Sequence, residues 1–413
     1  MSISEIVRTR RVVICCGSGG VGKTTTAAVL ALEGARQGRD ACVVTIDPAR
    51  RLANALGLDN LADTPSEIDR SRWNGAGVAD ATREHGVAAG HGGRLSALML
   101  DTKSTFDNLV TRNAADKEQA ERILHNTFYR NVSGALGGTQ EYMAMEKLHE
   151  LHDEGGFDLI VVDTPPTRHA LDFLDAPQRL MRLLDNRIFR LLMVPTRAYL
   201  KVAGAAVRTF LRTIAKVVGS EVIDDVVGFL RAFEGMEDGF RARAQAVGEL
   251  LGDPATAFVL VTSPRRDAMD EAAYFAERLQ DHGQEVAALI VNRVHPAFGD
   301  QAPEALRTRA ADLRDDATTD PETVARLALL YENLADFRTI ADHERANLGG
   351  LHAHLGRAAV AYVPYLARDV YDFEALHEVG QVLLDERADE HVGRSDSGGA
   401  DRAAGDARSD PLA

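Results

Sequence analysis

Seven short apolar runs punctuate the chain. They are "RRVVICCG" from Arg11, "ACVVTID" from Ala41, "RLSALMLD" from Arg94, "FDLIVVD" from Phe157, "TAFVLVTS" from Thr256, "EVAALIVNRV" from Glu285 and "AAVAYVPYL" from Ala358. Near-continuous apolar runs of this length read as strands buried on both faces. Helical patterns lie between most of them, for example Thr24 to Gln37 and Asp270 to His282. The alternation predicts an α/β fold: one doubly wound, mostly parallel sheet of about seven strands.

Three stretches depart from that rhythm. Residues 61–93 are polar and rich in Gly, Ala and Asp, which predicts an extended surface loop or a disordered insertion. Residues 174–251 are a long helical stretch that interrupts the sheet, and we expect an inserted helical subdomain there. From about Arg387 the chain lacks apolar residues at core spacing, as a disordered tail does. The expected organisation is a core in two parts, 1–173 and 252–386, split by the subdomain 174–251 and followed by the tail 387–413.

Composition narrows the function classes. A chain of 413 residues can bury a large core. Its formal net charge of -15 repels phosphate backbones, which argues against nucleic acid as a partner. The three cysteines, Cys15, Cys16 and Cys42, form no C-x-x-C pair. Neighbouring strand residues point to opposite faces, so these read as small core residues in a reducing compartment. No apolar run approaches the roughly 18 residues of a membrane span. The first core strand begins within about ten residues of the start, leaving no room for a signal peptide. The expected location is cytoplasmic.

The chemistry begins in the turn after the first strand. Gly17-Ser18-Gly19-Gly20-Val21-Gly22-Lys23-Thr24 satisfies G-x-x-x-x-G-K-[ST], and Thr25 follows in the same helix start. Glycines let backbone N–H groups turn inward around phosphates, and the helix start adds its positive dipole end. Lys23 is placed to reach the β- and γ-phosphates, and the Thr24 hydroxyl to ligate Mg²⁺. Asp47 ends the second strand, where it could activate the attacking water or cap a helix over Arg50 to Leu56; the residues leave both roles open. Asp163 follows four apolar β residues and would hold Mg²⁺ through water. Paired prolines then stop the strand, so Thr164-Pro165-Pro166-Thr167-Arg168-His169 reads as a switch segment beside the γ-phosphate. His169 taken alone fits a surface or capping residue as well as a catalytic one. "LIVNRV" lacks the T-K-x-D element of guanine readers, and the Asn292 amide can pair with adenine. ATP is the expected nucleotide.

With these residues in view, the chain resembles the ArsA family of ATPases, which energise arsenite pumps or target tail-anchored membrane proteins. The resemblance spans most of residues 8–385. It rests on G-x-G-G-V-G-K-T-T, Asp47-Pro48-Ala49, Asp163-Thr164-x-Pro166-Thr167-x-His169 running into Phe173-Leu174, Val291-Asn292-Arg293, and Val363-Pro364. It implies a dimer that closes face to face on two nucleotides, with Asp47 activating water and the Asp163 segment relaying nucleotide state. Asn292 and the loop after Pro364 would border the adenine.

Four departures qualify the resemblance. Ser18 stands where a lysine normally reaches the partner's phosphates, Arg168 replaces a glycine, and Ser263-Pro264 replaces an acidic strand end. Neither metalloid-binding cysteines nor a zinc clasp has a counterpart, so no metalloid and no zinc is expected. A cation supplied in trans to the developing phosphoryl charge is worth roughly 10³- to 10⁵-fold in rate, and Ser18 has none to supply. We therefore expect the chain to pair with a lysine-bearing paralogue, or with itself using Arg50, Arg51 or Arg168 as a substitute. Residues 196–219 add an amphipathic helix with Arg197, Lys201, Arg208, Arg212 and Lys216 along one side. Its other side reads either as ordinary packing or as a surface for a hydrophobic client or a membrane. The expected function is an Mg²⁺-dependent, ATP-hydrolysing, nucleotide-switched dimer. The alternatives are a weakly catalytic regulatory subunit and a partitioning-type positioning ATPase.

Overall fold

The computed structural model describes residues 1–47, 51–73, 92–132, 139–165, 167–185, 225–226, 228–229, 232–315, 320–352 and 355–385. The expected tail 387–413, the basic helix 196–219 and the residues Pro48, Ala49, Arg50 and Pro166 lie outside them. The strands are β1 (Val12–Gly17), β2 (Ala41–Thr45), β3 (Ser66–Glu67), β4 (Leu95–Met99), β5 (Leu159–Asp163), β6 (Thr256–Thr262), β7 (Val286–Val294) and β8 (Ala359–Pro364). They form one sheet in the order β3-β4-β2-β5-β1-β6-β7-β8. The seven apolar runs all pair in parallel.

β3 was not expected. It pairs antiparallel with β4 through Ser66 and Glu67, inside the stretch read as a surface loop or disordered insertion. Residues 61–73 instead bury Leu61, Ile68 and Trp73 against the sheet, and the Trp73 indole N–H donates to Ile68 O at 3.3 Å. Three widely spaced apolar side chains anchor an otherwise polar segment. Residues 74–91 fall outside the described ones.

Both faces of the sheet are covered, as a parallel sheet requires. One core packs Val13, Cys15, Val43, Val161 and Val259 against helix Lys23–Arg36 and helix Phe373–Leu384. The other packs Ile14, Cys16, Val44, Ile160 and Leu260 against Leu148, Val247, Phe275 and Leu351. Cys15 and Cys16 thus face opposite cores, as adjacent strand residues must. All three thiols are free and buried. A third cluster, built from helices and the turn at Phe233, joins Val110, Ile123 and Tyr129 to Ala176, Phe233 and Phe240.

The chain order positions the site. From β1 the chain runs outward to β2 and β4, then returns to lay β5 between β2 and β1. It next crosses to β6, on the other side of β1. The connections leaving the neighbouring strands β1 and β5 thus run to opposite sides, and a crevice opens at their carboxyl edge, where such sheets take ligands.

Candidate nucleotide site

The loop after β1 is bound tightly into the sheet edge. At Gly17 a Cβ would lie 2.0 Å from Val261 O. At Gly22 (φ 100) it would lie 2.2 Å from Asn292 Nδ2, so both close approaches need glycine. Asn292 holds the loop from outside: its Nδ2 donates to Val21 O at 2.8 Å, and its Oδ1 accepts the Arg293 N–H at 2.9 Å. Gly22 also starts helix Lys23–Arg36 without any side-chain cap. The first N–H groups of that helix are thereby left for an anion.

Lys23 Nζ donates to Ser18 O at 2.8 Å, so the ammonium folds back over its own loop. Burial pushes its pKa down, and the nearby Asp163 carboxylate opposes that shift. Asp163, the last residue of β5, is 1% exposed. Its Oδ2 accepts from Thr24 Oγ1 at 2.7 Å and from Thr45 Oγ1 at 2.9 Å. Its Oδ1 is buried with no hydrogen-bond partner among the described residues. Burial pushes the carboxyl up, against the pull of the two hydroxyls and Lys23. Thr45 Oγ1 in turn accepts the Asp47 N–H at 3.2 Å, which joins the ends of β2 and β5. Thr164 Oγ1 donates to Cys15 O at 2.7 Å and ties the segment after β5 to β1.

A cavity of about 250 Å³ opens over these groups. It brings together Gly20, Gly22, Lys23, Thr24, Thr25, Asp47 and Thr164, with Arg51, Asn54, Ala55, Arg293, Val370 and Tyr371 completing the wall. Across Gly20 lies a second cavity of about 320 Å³, bordered by Ser18, Gly19, Val21, Ser263, Arg265, Arg293, His295 and Tyr365. Pro364 ends β8, and the segment it starts reaches the first cavity through Val370 and Tyr371. Arg168 and His169 belong to the first turn of helix Thr167–Asp185, and their side chains fall outside the described residues.

The donor set suits a hard cation with its waters. A buried carboxylate oxygen without a partner sits beside a hydroxyl, at the foot of a loop that presents backbone N–H groups. Sequence reasoning missed Thr45, and it named Arg293 only within Val291-Asn292-Arg293 without giving it a role. The one available signal for Thr45 was a lone hydroxyl in the apolar run "ACVVTID". Among the described residues no helix is long and apolar enough to cross a membrane.

Comparison with known proteins agrees with this geometry. A family model described as anion-transporting ATPase matches residues 10–316. ATPase GET3 of Malassezia globosa is 24% identical over 300 residues, covering 72% of this chain and 77% of the fungal protein. An ATPase ASNA1 homolog of Cryptosporidium parvum is 22% identical over 342 residues, covering 80% of this chain and 81% of its own length. With the glycine loop, Lys23, Thr24 and Asp163 gathered at one crevice, the chain belongs to the ArsA ATPase family and is an ATPase.

Proposed function

We propose that this chain hydrolyses ATP with Mg²⁺ as a nucleotide-switched dimer, and that its nucleotide state is coupled to a protein or membrane-associated partner in the cytoplasm. The observation that carries the reading is the Thr24–Asp163–Thr45 cluster, with Asp163 Oδ1 left open beside Lys23. Lys23 and the loop N–H groups bind the β- and γ-phosphates, and Thr24 and Asp163 are the residues that would hold Mg²⁺. When bound, the ion would neutralise charge on the phosphate oxygens. Asp47 orients or activates the attacking water. Asn292 and the segment after Pro364 border the adenine, and the Asp163-to-His169 segment reports the state of the γ-phosphate. The partner surface in this reading is the sequence of residues 196–219, with its basic and apolar positions at helical spacing.

Ser18 supports a second reading. It is a neutral, buried residue with no charge to offer across a dimer, which fits a weakly catalytic subunit paired with a lysine-bearing paralogue. One experiment addresses both readings: ATP turnover by the purified chain with and without Mg²⁺, over a range of protein concentrations, beside Asp47→Asn and Asp163→Asn. The first reading expects Mg²⁺-dependent specific activity that rises with concentration. Asp47→Asn should lose about 10²- to 10⁴-fold in turnover while still binding ATP. Turnover that ignores Mg²⁺ and survives Asp163→Asn overturns the site assignment. Tight ATP binding with almost no turnover at any concentration selects the second reading.

A further inference from the structure

By the resemblance to the ArsA ATPases, Ser18 stands where a lysine would reach the phosphates of a paired copy, so in a pair of identical chains each nucleotide would lack that charge; a cation of the same chain is placed to supply it. Arg293 lies near the end of β7, yet it does not follow the strand. Asn292 pairs with Val363 and Val294 with Pro364, so Arg293 is an extra residue between two consecutive rungs. Bulges of this kind are rare between parallel strands, and they re-aim side chains. Arg293 is also the one described non-glycine residue at positive φ, at 62°. Arginine adopts that conformation only at an energetic cost, and such residues gather at functional sites.

The placement matches the distortion. Arg293 lines both cavities, the one holding Lys23, Thr24 and Asp47 and the one bordered by Ser18. The residue preceding it is the one that clasps the loop at Val21 O. No ion-pair partner of its guanidinium exists among the described residues. The neighbouring cations differ: Arg265 is paired with Asp267 at 2.8 Å, Lys23 donates to Ser18 O, and Arg51 borders only one of the two cavities. We propose that Arg293 supplies, from within the same chain, the positive charge at the nucleotide phosphates that Ser18 cannot.

The inference rests on reading the first cavity as the site of ATP hydrolysis, so turnover of the unsubstituted chain is measured first. Arg293→Asn removes the charge and keeps a side chain that tolerates positive φ, and Arg293→Lys restores the charge alone. Thermal midpoints establish that both fold. The readouts are turnover number and the affinities for ADP and for ADP with aluminium fluoride, a mimic of the transferring phosphoryl group. Arg293→Asn should lose about 10²-fold or more in turnover and in affinity for the mimic, with Arg293→Lys recovering part of both. Its affinity for ADP should change by less than about threefold, because a ground-state contact is not what is removed. Arg51→Ala should have a smaller effect on both. Mixing Arg293→Asn with Lys23→Ala chains tests the direction: the pair should stay inactive if Arg293 serves its own chain's nucleotide, and recovered activity overturns that statement. An inactive unsubstituted chain overturns the hydrolytic reading and this inference together. An active chain with an unaffected Arg293→Asn variant, or one that loses ADP and the mimic equally, overturns this inference alone.

Discussion

Replacing Thr45 by valine removes one hydroxyl from the base of the site and leaves a side chain of nearly the same shape. The lost Oγ1 donates to Asp163 Oδ2 at 2.9 Å and accepts the Asp47 N–H at 3.2 Å. Both Thr45 and Asp163 are essentially out of water, at 2% and 1% exposed, so water cannot replace the missing donor. A hydrogen bond to a charged group contributes about 1.5–3 kcal/mol, and a neutral one about 1 kcal/mol. Thr45→Val should therefore destabilise the nucleotide-free, metal-free chain by about 2–4 kcal/mol, measured as the loss of unfolding free energy in urea at neutral pH. The two contributions can be separated by a cycle with Asp163→Asn. In that background the hydroxyl faces a neutral amide oxygen, so Thr45→Val should cost about 1 kcal/mol less than it does beside the carboxylate. A cost under about 1 kcal/mol in the unsubstituted background, or an equal cost in both backgrounds, would refute the claim that Thr45 supports the Asp163 charge.

Gly22→Ala places a methyl group 2.2 Å from Asn292 Nδ2 at φ 100, so it should weaken ATP binding at least about tenfold and lower stability by about 1–3 kcal/mol. Gly20→Ala, with open space around the added carbon, should cost only the positive-φ penalty of about 1–2 kcal/mol; calorimetric titration and denaturation of both variants check the contrast. His282 has its pKa raised, first by its bond to the Arg278 carbonyl and then by Asp175 at 3.0 Å. A raised folded value means its contribution is complete below the unfolded pKa of about 6.5 and is lost as pH rises through the folded one. His282→Ala should accordingly cost up to about 1 kcal/mol near about pH 5.5 and less near about pH 8.5, by urea denaturation at the two values. An equal cost at both would show that the His282–Asp175 pair carries no charge.

Much of this architecture was legible because its signals are local. A buried parallel strand is a run of apolar residues, and seven such runs gave seven strands. The glycine loop is legible for the same reason: its spacing, the preceding strand and the following helix are contiguous in the chain. What escaped depends on pairing across the sheet. Thr45 matters because β2 lies beside β5 in the register that sets Thr45 opposite Asp163, and no feature of "VVTID" announces that partner. Arg293 entered the sequence reading only as part of Val291-Asn292-Arg293, with no role of its own, since its bulge exists only relative to β8. Residues 61–73 read as loop because Leu61, Ile68 and Trp73 stand singly in polar surroundings, and only the edge of β4 gives them something to pack against.

The site is an expensive one to fold, and the scaffold explains how it persists. Asp163 Oδ1 and Ser18 Oγ are buried without partners among the described residues, each a desolvation cost of about 1–3 kcal/mol or more for the charged one. Lys23 is also buried, and its ammonium donates to the Ser18 carbonyl. Against this stands the helix that carries Lys23 and Thr24. Val29, Leu30 and Leu32 on that helix are at most 1% exposed, and each fully buried aliphatic side chain contributes about 1.5–3 kcal/mol. One turn of the helix therefore offsets the unpaired groups at its start. Phosphate oxygens would relieve Lys23 of its self-bond, and a hydrated cation would satisfy Asp163 Oδ1, so the groups that weaken the empty fold are the ones that favour the loaded one. Burial thus does two things at this site: the helix's apolar side fixes the loop in place, and the desolvated polar groups at its tip are the ones that phosphate oxygens and a hydrated cation would satisfy.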